Sequence, residues 1–172
     1  FYAPADESES LYDNLNSQLS EKDLDSKVEY AARYIIGNLD SNGYLHRSLD
    51  LLINDMAFGP GVEISKEEGM KALEAVRSLE PAGIGAENLQ DSLRMQLETL
   101  PRSSIRENAL RIINSTFEEF TMKHKKKIVS SLRLSEEEVD KALDLILSLN
   151  PKPGASLGHS AEDHSNIVIP DF

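Results

Sequence analysis

Cysteine and tryptophan are absent from this chain of 172 residues, and aromatic residues make up only 6% of it. Without cysteine the chain has no disulfide, no catalytic thiol and no cysteine-bound zinc. No apolar run approaches the ~20 residues of a membrane-spanning helix, and residues 1–10 are polar and acidic, unlike a signal peptide. These absences predict a cytoplasmic protein with an aliphatic core and no membrane partner.

Basic residues are scarce relative to acidic ones, because 18 lysines and arginines stand against 30 aspartates and glutamates, a net charge of −12. Such a surface repels the phosphates of DNA and RNA, which argues against a broad nucleic-acid-binding face. It suits a protein partner with a positive surface. Since 40% of the residues are hydrophobic, the chain can still bury a sizeable core.

Apolar residues recur at helical spacing along most of the chain, and no convincing pair of strands is visible. Leu11, Leu15 and Leu19 are four residues apart and fall on one face of a helix. A longer pattern predicts a single helix that begins at a capping box formed by Ser104 and Glu107 and continues through Phe120.

These patterns predict an all-α fold of two small helical bundles with helix-turn-helix-like units. The bundles are predicted over residues 1–100 and 101–150, joined near Pro101. Proline, glycine, serine and histidine then become frequent, so residues 151–172 are predicted to form an extended C-terminal tail.

Residues 65–81 recur in related form at residues 135–151, with nine identical positions. Each copy opens with a serine and, three residues later, a glutamate, as Ser65 and Glu68 do in the first copy, which is the signature of a helix capping box. Each copy ends at a proline, which cannot continue a helix. The repeat predicts two related helical units, the first of which buries Met70. A chance likeness of two capped helices is the alternative.

Residues 125–149 have the outline of a helix-turn-helix, with a short helix, a turn and a longer helix. In a DNA reader the start of the second helix enters the major groove. Here that start is Glu136, Glu137 and Glu138, which would be repelled by phosphates. The pattern favours a scaffold or a protein contact, and a helix-turn-helix DNA-binding transcription regulator remains the alternative function.

No catalytic constellation, metal site or cofactor motif is predicted. His159, Asp163 and His164 lie close together in the sequence, but a solvated tail explains them better than a metal site does. A calcium loop that began at Asp40 would have Tyr44 at its fifth position, where such a loop requires an oxygen ligand, so the segment is predicted to be a turn. The chain is therefore predicted to be no enzyme.

Four segments, in order, resemble the motifs of the sigma-54 family of bacterial transcription factors. The first segment is Leu39-Asp40-Ser41-Asn42-Gly43-Tyr44-Leu45, and the second, central one is Leu79-Glu80-Pro81-Ala82-Gly83-Ile84-Gly85-Ala86, followed by Leu89, Leu93, Gln96 and Leu97. The third is Leu149-Asn150-Pro151-Lys152-Pro153-Gly154, and the fourth is Val168-Ile169-Pro170-Asp171. The resemblance that these ordered motifs carry extends over nearly the whole chain. Two residues depart from the family pattern, because Glu87 stands where the family usually has arginine and Asp91 where it usually has glutamate.

The resemblance implies the core-binding region of such a sigma factor. That region docks on core RNA polymerase, mainly on its β and β′ subunits, and forms a holoenzyme that depends on an ATP-driven activator. Promoter DNA and the activator would be bound only through regions of the full-length factor that this chain lacks. Residues 151–172 would then form a tail or linker toward a DNA-binding domain.

The motif residues are interpreted mainly as structural. The predicted structural residues are Gly43, Tyr44, Pro81, Gly83, Gly85, Leu89, Leu93, Pro151, Pro153 and Gly154. The predicted polymerase contacts are a polar face beside the central motif and a lysine run. They comprise Asn88, Gln90, Arg94, Lys125, Lys126 and Lys127.

Overall fold

The computed structural model describes the backbone of residues 3–155 and the side chains from Leu11 onward. The prediction of an all-α fold is confirmed, since this range holds nine α-helices and, as its only β pairing, an isolated bridge between Leu39 and Leu45. The helices are α1 (Ala3–Ser20), α2 (Ser26–Gly37), α3 (Leu49–Phe58), α4 (Lys66–Arg77), α5 (Leu89–Glu98), α6 (Ser104–Ser115), α7 (Phe117–Thr121), α8 (Lys125–Leu132) and α9 (Glu136–Leu147).

The described residues form two compact units, each with its own apolar core. Residues 3–88 and 152–155 belong to the first unit, and residues 89–151 to the second. Leu93, at the centre of α5, is completely buried in the core of the second unit. Packing therefore divides the chain just before α5, whereas subdomain boundaries at residues 100 and 150 stay a prediction.

Both copies of the repeat form the last helix of a unit, and both capping boxes are confirmed. In α4 the backbone N–H of Glu68 donates to Ser65 Oγ (3.0 Å), and the Ser65 N–H donates back to Glu68 Oε1 (2.9 Å). Ser135 and Glu138 make the same pair of hydrogen bonds at the start of α9, with the same distances. Two otherwise free N–H groups are thus satisfied at the start of each helix.

The two units also share their helix order and packing. In the first unit α1 packs on α2, and both α2 and α3 pack on α4; in the second α5 packs on α6, and both α6 and α8 pack on α9. The sequences of α1 and α2 match those of α5 and α6 at a spacing of 78 residues. The identical pairs include Leu11/Leu89, Leu15/Leu93, Gln18/Gln96, Leu19/Leu97, Ser26/Ser104, Glu29/Glu107, Ala31/Ala109 and Arg33/Arg111. We conclude that the chain contains two copies of one four-helix arrangement, with α7 as an addition in the second copy.

The prediction of one continuous helix from Ser104 to Phe120 is wrong. The helix N-cap is Ser103, whose Oγ accepts from the Arg106 N–H (3.1 Å), and α6 ends before Thr116. Thr116 leaves the helical conformation (φ −132°, ψ 36°), and its buried hydroxyl donates to the Ile112 carbonyl (3.0 Å). A short hydroxyl side chain that bonds the preceding turn competes with the helical backbone pattern, so α7 starts separately.

The prediction that Met70 is buried is also wrong, because its side chain is 58% exposed. The buried face of α4 is instead centred on Gly69, Ala72 and Val76. At Gly69 a Cβ atom would lie 2.8 Å from Ile53 Cδ1, which shows how closely α3 approaches this helix. The apolar pattern indicated the helix and its buried Val76 correctly, but Met70 lies outside the buried face.

Candidate functional site

The first family-like motif forms a tight turn organised by Asp40. Its Oδ1 accepts hydrogen bonds from the backbone N–H groups of Asn42 (2.8 Å) and Tyr44 (2.9 Å). Its backbone N–H donates to the Tyr44 carbonyl, and its carbonyl accepts from Gly43, both at 2.9 Å. Its Oδ2 lies 2.6 Å from His46 Nε2. One carboxylate thus satisfies two backbone donors and holds the turn closed.

The central motif is hydrogen-bonded to this turn. The Gly85 N–H donates to the Gly43 carbonyl and the Leu45 N–H donates to the Ala86 carbonyl, both at 2.8 Å. Ile84 between them is fully buried. Residues 81–86 therefore lie against residues 39–45 along a pair of backbone hydrogen bonds.

The third motif reaches the same turn from the far end of the sequence. The Gly154 N–H donates to the Asn42 carbonyl (2.8 Å), and Pro153, Gly154 and Ala155 are buried. A Cβ atom on Gly154 would lie 2.5 Å from Gly43 N, so only glycine fits this approach. The segment predicted as an extended tail thus begins with packed residues, while its part from residue 156 onward, with the fourth motif and the two histidines, lies outside the described residues.

Residues 39–45, 81–86 and 152–155 together form what we call the motif junction. Gly43, Gly83 and Gly85 have positive φ angles of 90°, 102° and 84°, which favour glycine. At Gly43 a Cβ atom would also lie 2.7 Å from Ile84 Cδ1. The motif junction is built from backbone hydrogen bonds and close contacts, so it serves as a scaffold rather than as a pocket for chemistry.

Each unit also carries a glutamine that binds the residue before a repeat proline. In the second unit Gln96 Nε2 donates to the Asn150 carbonyl (2.6 Å), and Gln96 Oε1 accepts from the Asn150 N–H (2.9 Å). In the first unit Gln18 makes the same two bonds to Glu80 (2.7 and 2.8 Å). We call these pairs the glutamine clamps. Sequence reasoning noted Gln96 only as part of a motif and missed Gln18, although the 78-residue match between α1 and α5 is a signal that could have found it.

Two side chains of the predicted polar contact face are held by neighbours within the second unit. Gln90 Nε2 donates to the Ile113 carbonyl (2.8 Å), so this side chain joins α5 to α6. Arg94 makes ion pairs with Asp91 and Glu98; its hydrogen bond with Asp91 is the main reason that the pKa of this guanidinium is raised above its usual value. Asn88 is exposed.

In the lysine run, Lys125 differs from its two neighbours. Lys125 lies 2.7 Å from Asp140 Oδ1 and 3.4 Å from Glu136 Oε1, and the hydrogen bond with Asp140 does most to raise the pKa of this ammonium group. Lys126 and Lys127 are exposed. They are therefore the lysines of the run whose charges are presented to solvent.

No group of three or more potential metal ligands occurs among the described side chains, and none of the described helices is long and apolar enough to cross a membrane. The start of α9 exposes Glu136 and Glu137, with side chains 74% and 77% accessible. A helix that opens with exposed carboxylates does not suit the major groove of DNA.

The fold and its junction define a class of protein, namely an acidic all-α scaffold of two related helical units. Comparison with known proteins identifies the family. The family described as "Sigma-54 factor, core binding domain" matches residues 1–172. The chain belongs to this family.

Relatives with the name "RNA polymerase sigma-54 factor" align along most of the chain. The protein of Pseudomonas aeruginosa (strain UCBPP-PA14) is 29% identical over 172 residues, 99% of this chain and 34% of that protein. The protein of Xanthomonas euvesicatoria is 30% identical over 96% of this chain, which corresponds to 34% of that protein. The protein of Bacillus subtilis (strain 168) is 29% identical over 90% of this chain, which corresponds to 34% of that protein. The chain therefore spans about a third of the length of the curated relatives it matches.

Proposed function

We propose that this chain docks on core RNA polymerase as the core-binding part of a sigma-54 type transcription initiation factor. The observation that carries the proposal is the family match along all 172 residues. The motif junction supports it, because three of the motifs that resemble the family unite in one scaffold instead of forming a catalytic pocket.

In this proposal the β and β′ subunits of the polymerase provide the docking surface, in the cytoplasm, and the chain itself catalyses nothing. Promoter DNA and the ATP-dependent activator are engaged through regions of the complete factor outside these 172 residues. The resulting holoenzyme depends on the activator to start transcription. The acidic balance of the chain, with 30 acidic against 18 basic residues, suits a docking surface rich in positive charge.

Six side chains are proposed polymerase contacts: Asn88, Gln90, Arg94, Lys125, Lys126 and Lys127. Lys126 and Lys127 are favoured within the lysine run because they are exposed, whereas Lys125 is held by two carboxylates of α9. Gln90 and Arg94 would act more through the shape of the α5 surface, since both already bond to neighbours within the second unit.

Co-elution from a sizing column tests the proposal. The chain is mixed with core RNA polymerase, and in parallel with duplex DNA of mixed sequence at low salt. We expect co-elution with the polymerase and none with the DNA, because phosphates repel an acidic surface. Co-elution with DNA alone would instead support the helix-turn-helix regulator and would contradict polymerase docking.

A further inference from the structure

Helices α3 and α8 occupy equivalent places in the two units. α3 buries Leu52 and Met56, and α8 buries Ile128 and Leu132. The two residues of each pair have the same spacing, and the second pair lies 76 residues after the first. Each helix packs on the last helix of its unit, α4 or α9. The outward sides of these two helices are therefore corresponding surfaces of the two copies.

An ion pair at the start of the helices supports this correspondence. In the first unit Lys66, the first residue of α4, lies 2.6 Å from Asp50 in the first turn of α3. In the second unit Glu136, the first residue of α9, lies 3.4 Å from Lys125, the first residue of α8. In both units an ion pair thus joins the first turn of this helix to the first residue of the next helix, with the charges exchanged, although Asp50 corresponds to Lys126 at the 76-residue spacing.

The outward surfaces differ in chemistry. On α3 the side chains of Leu51 and Phe58 are 50% and 87% exposed. They lie seven residues apart, which places them on one side of the helix about 10 Å apart. The residue that corresponds to Leu51 in α8 is Lys127, which is also exposed. A site that holds a solvated lysine in one copy thus holds an apolar side chain in the other.

The charge of the two units differs as well. Residues 1–88 contain 17 acidic and 7 basic residues, whereas residues 89–151 contain 10 of each. The apolar side of α3 therefore belongs to a unit with a large negative charge. Two such units repel each other and both repel nucleic acid, so neither a second copy of the chain nor DNA suits this side of α3. A positively charged protein surface does.

We propose that the outward side of α3, centred on Leu51 and Phe58, docks on a basic surface of core RNA polymerase that also offers an apolar pocket. The inference rests on the proposed function and names the surface and the partner chemistry through which the first unit would act. Phe58 inserts into the pocket, Leu51 extends the apolar contact along the helix, and the acidic residues of the unit face the basic rim. Aromatic side chains, phenylalanine included, are enriched in protein interfaces, and the rim around the buried centre is polar.

The experiment compares the affinity of three chains for core RNA polymerase: the unsubstituted chain, the double variant Leu51→Ala/Phe58→Ala, and the control Met122→Ala. Met122 is 58% exposed in the second unit, so the control removes a similar exposed apolar side chain elsewhere. We expect the double variant to bind at least about tenfold more weakly and the control to bind within about twofold of the unsubstituted chain. Circular dichroism should show equal helix content in all three, because the substituted side chains are exposed.

Equal affinity of the double variant and the unsubstituted chain would overturn the proposal and leave polymerase docking intact. An equal loss in the control would overturn it too, since the effect would then not belong to α3. Failure of the unsubstituted chain to bind polymerase would contradict the proposed function itself. Sedimentation of the unsubstituted chain as a dimer that the double variant does not form would assign this side of α3 to a second copy and overturn the proposal.

Discussion

Substitution of Gly154 by alanine tests whether the third motif is a structural part of the first unit. The added Cβ atom would lie 2.5 Å from Gly43 N, 2.6 Å from the Asn42 carbonyl carbon and 2.9 Å from Gly43 Cα. All three are backbone atoms of a turn that Asp40 holds closed, so they cannot move aside as a side chain could. The segment must shift outward or detach from the turn.

The magnitude follows from two losses. Displacement breaks the hydrogen bond from the Gly154 N–H to the Asn42 carbonyl, which is worth about 1 kcal/mol. Overpacking of a closely fitted contact adds about 1–3 kcal/mol. We therefore expect the free energy of unfolding of the first unit to fall by about 2–4 kcal/mol. The free energy with which residues 152–155 dock sets the upper limit, because the segment can detach instead.

Urea unfolding measures this change, and Gly37→Ala is a matched control. Gly37 is the exposed last residue of α2, and a Cβ atom there meets nothing within 4 Å. We expect the control to leave stability within about 1 kcal/mol of the unsubstituted chain, or to raise it slightly. The reasoning would be refuted by a Gly154→Ala chain that unfolds at the same urea concentration as the control, which is the behaviour of a tail that packs on nothing.

Two further predictions concern the glutamine clamps and the capping boxes. Gln96→Ala should lower the free energy of unfolding by about 2 kcal/mol in urea titrations, because it removes both hydrogen bonds between Gln96 and the backbone of Asn150. Gln18→Ala should lower it less, since that clamp is exposed to solvent. An equal loss in the two variants would contradict this account. The pKa values of Glu68 and Glu138 are lowered below the ordinary 4.5, mainly because each carboxylate accepts a backbone N–H at its helix start. A carboxylate with a lowered pKa stabilises the fold above its ordinary pKa, and this stabilisation is lost as the pH falls. The melting temperature should therefore decline below about pH 4.5, and it should decline less steeply in a Glu68→Gln/Glu138→Gln chain. Identical pH profiles of the two chains would argue against the capping role.

Local signals in the sequence predicted much of the helical framework. The serine and glutamate of each capping box fix where α4 and α9 begin, because both partners lie within one turn of each other. Ser48 likewise caps α3, accepting from the Leu51 N–H (3.3 Å). Such local signals are strong but do not always give the first residue of a helix, since the cap expected at Ser104 lies at Ser103.

Contacts between distant residues could not be predicted in this way. The spacing of Leu89, Leu93 and Leu97 shows which side of α5 is apolar, but not that these side chains join the second core. The approach of Gly154 to Asn42 joins residues more than a hundred positions apart, so a glycine in a proline-rich segment indicated a tail. The exposed side of α3 was missed because its leucine and phenylalanine look like core residues until packing shows that Leu52 and Met56 fill that role.

The motif junction explains why three separate segments of this chain carry recognisable motifs. Residues 39–45, 81–86 and 152–155 constrain one another through backbone hydrogen bonds and glycine contacts. A change in one segment must therefore be accommodated by the other two. The proposed polymerase contacts need no such mutual fit, because they lie on outward side chains such as Phe58 and Lys127, which differ between the two copies of the four-helix arrangement.

Competition for core RNA polymerase is the most direct measurement of the proposed docking. A labelled complete sigma-54 factor is bound to core polymerase, and the 172-residue chain is added in increasing concentration while the bound label is followed by fluorescence anisotropy. Polymerase docking predicts that the chain displaces the labelled factor with a saturable concentration dependence. An anisotropy that stays constant while the chain remains folded and in large excess would contradict it.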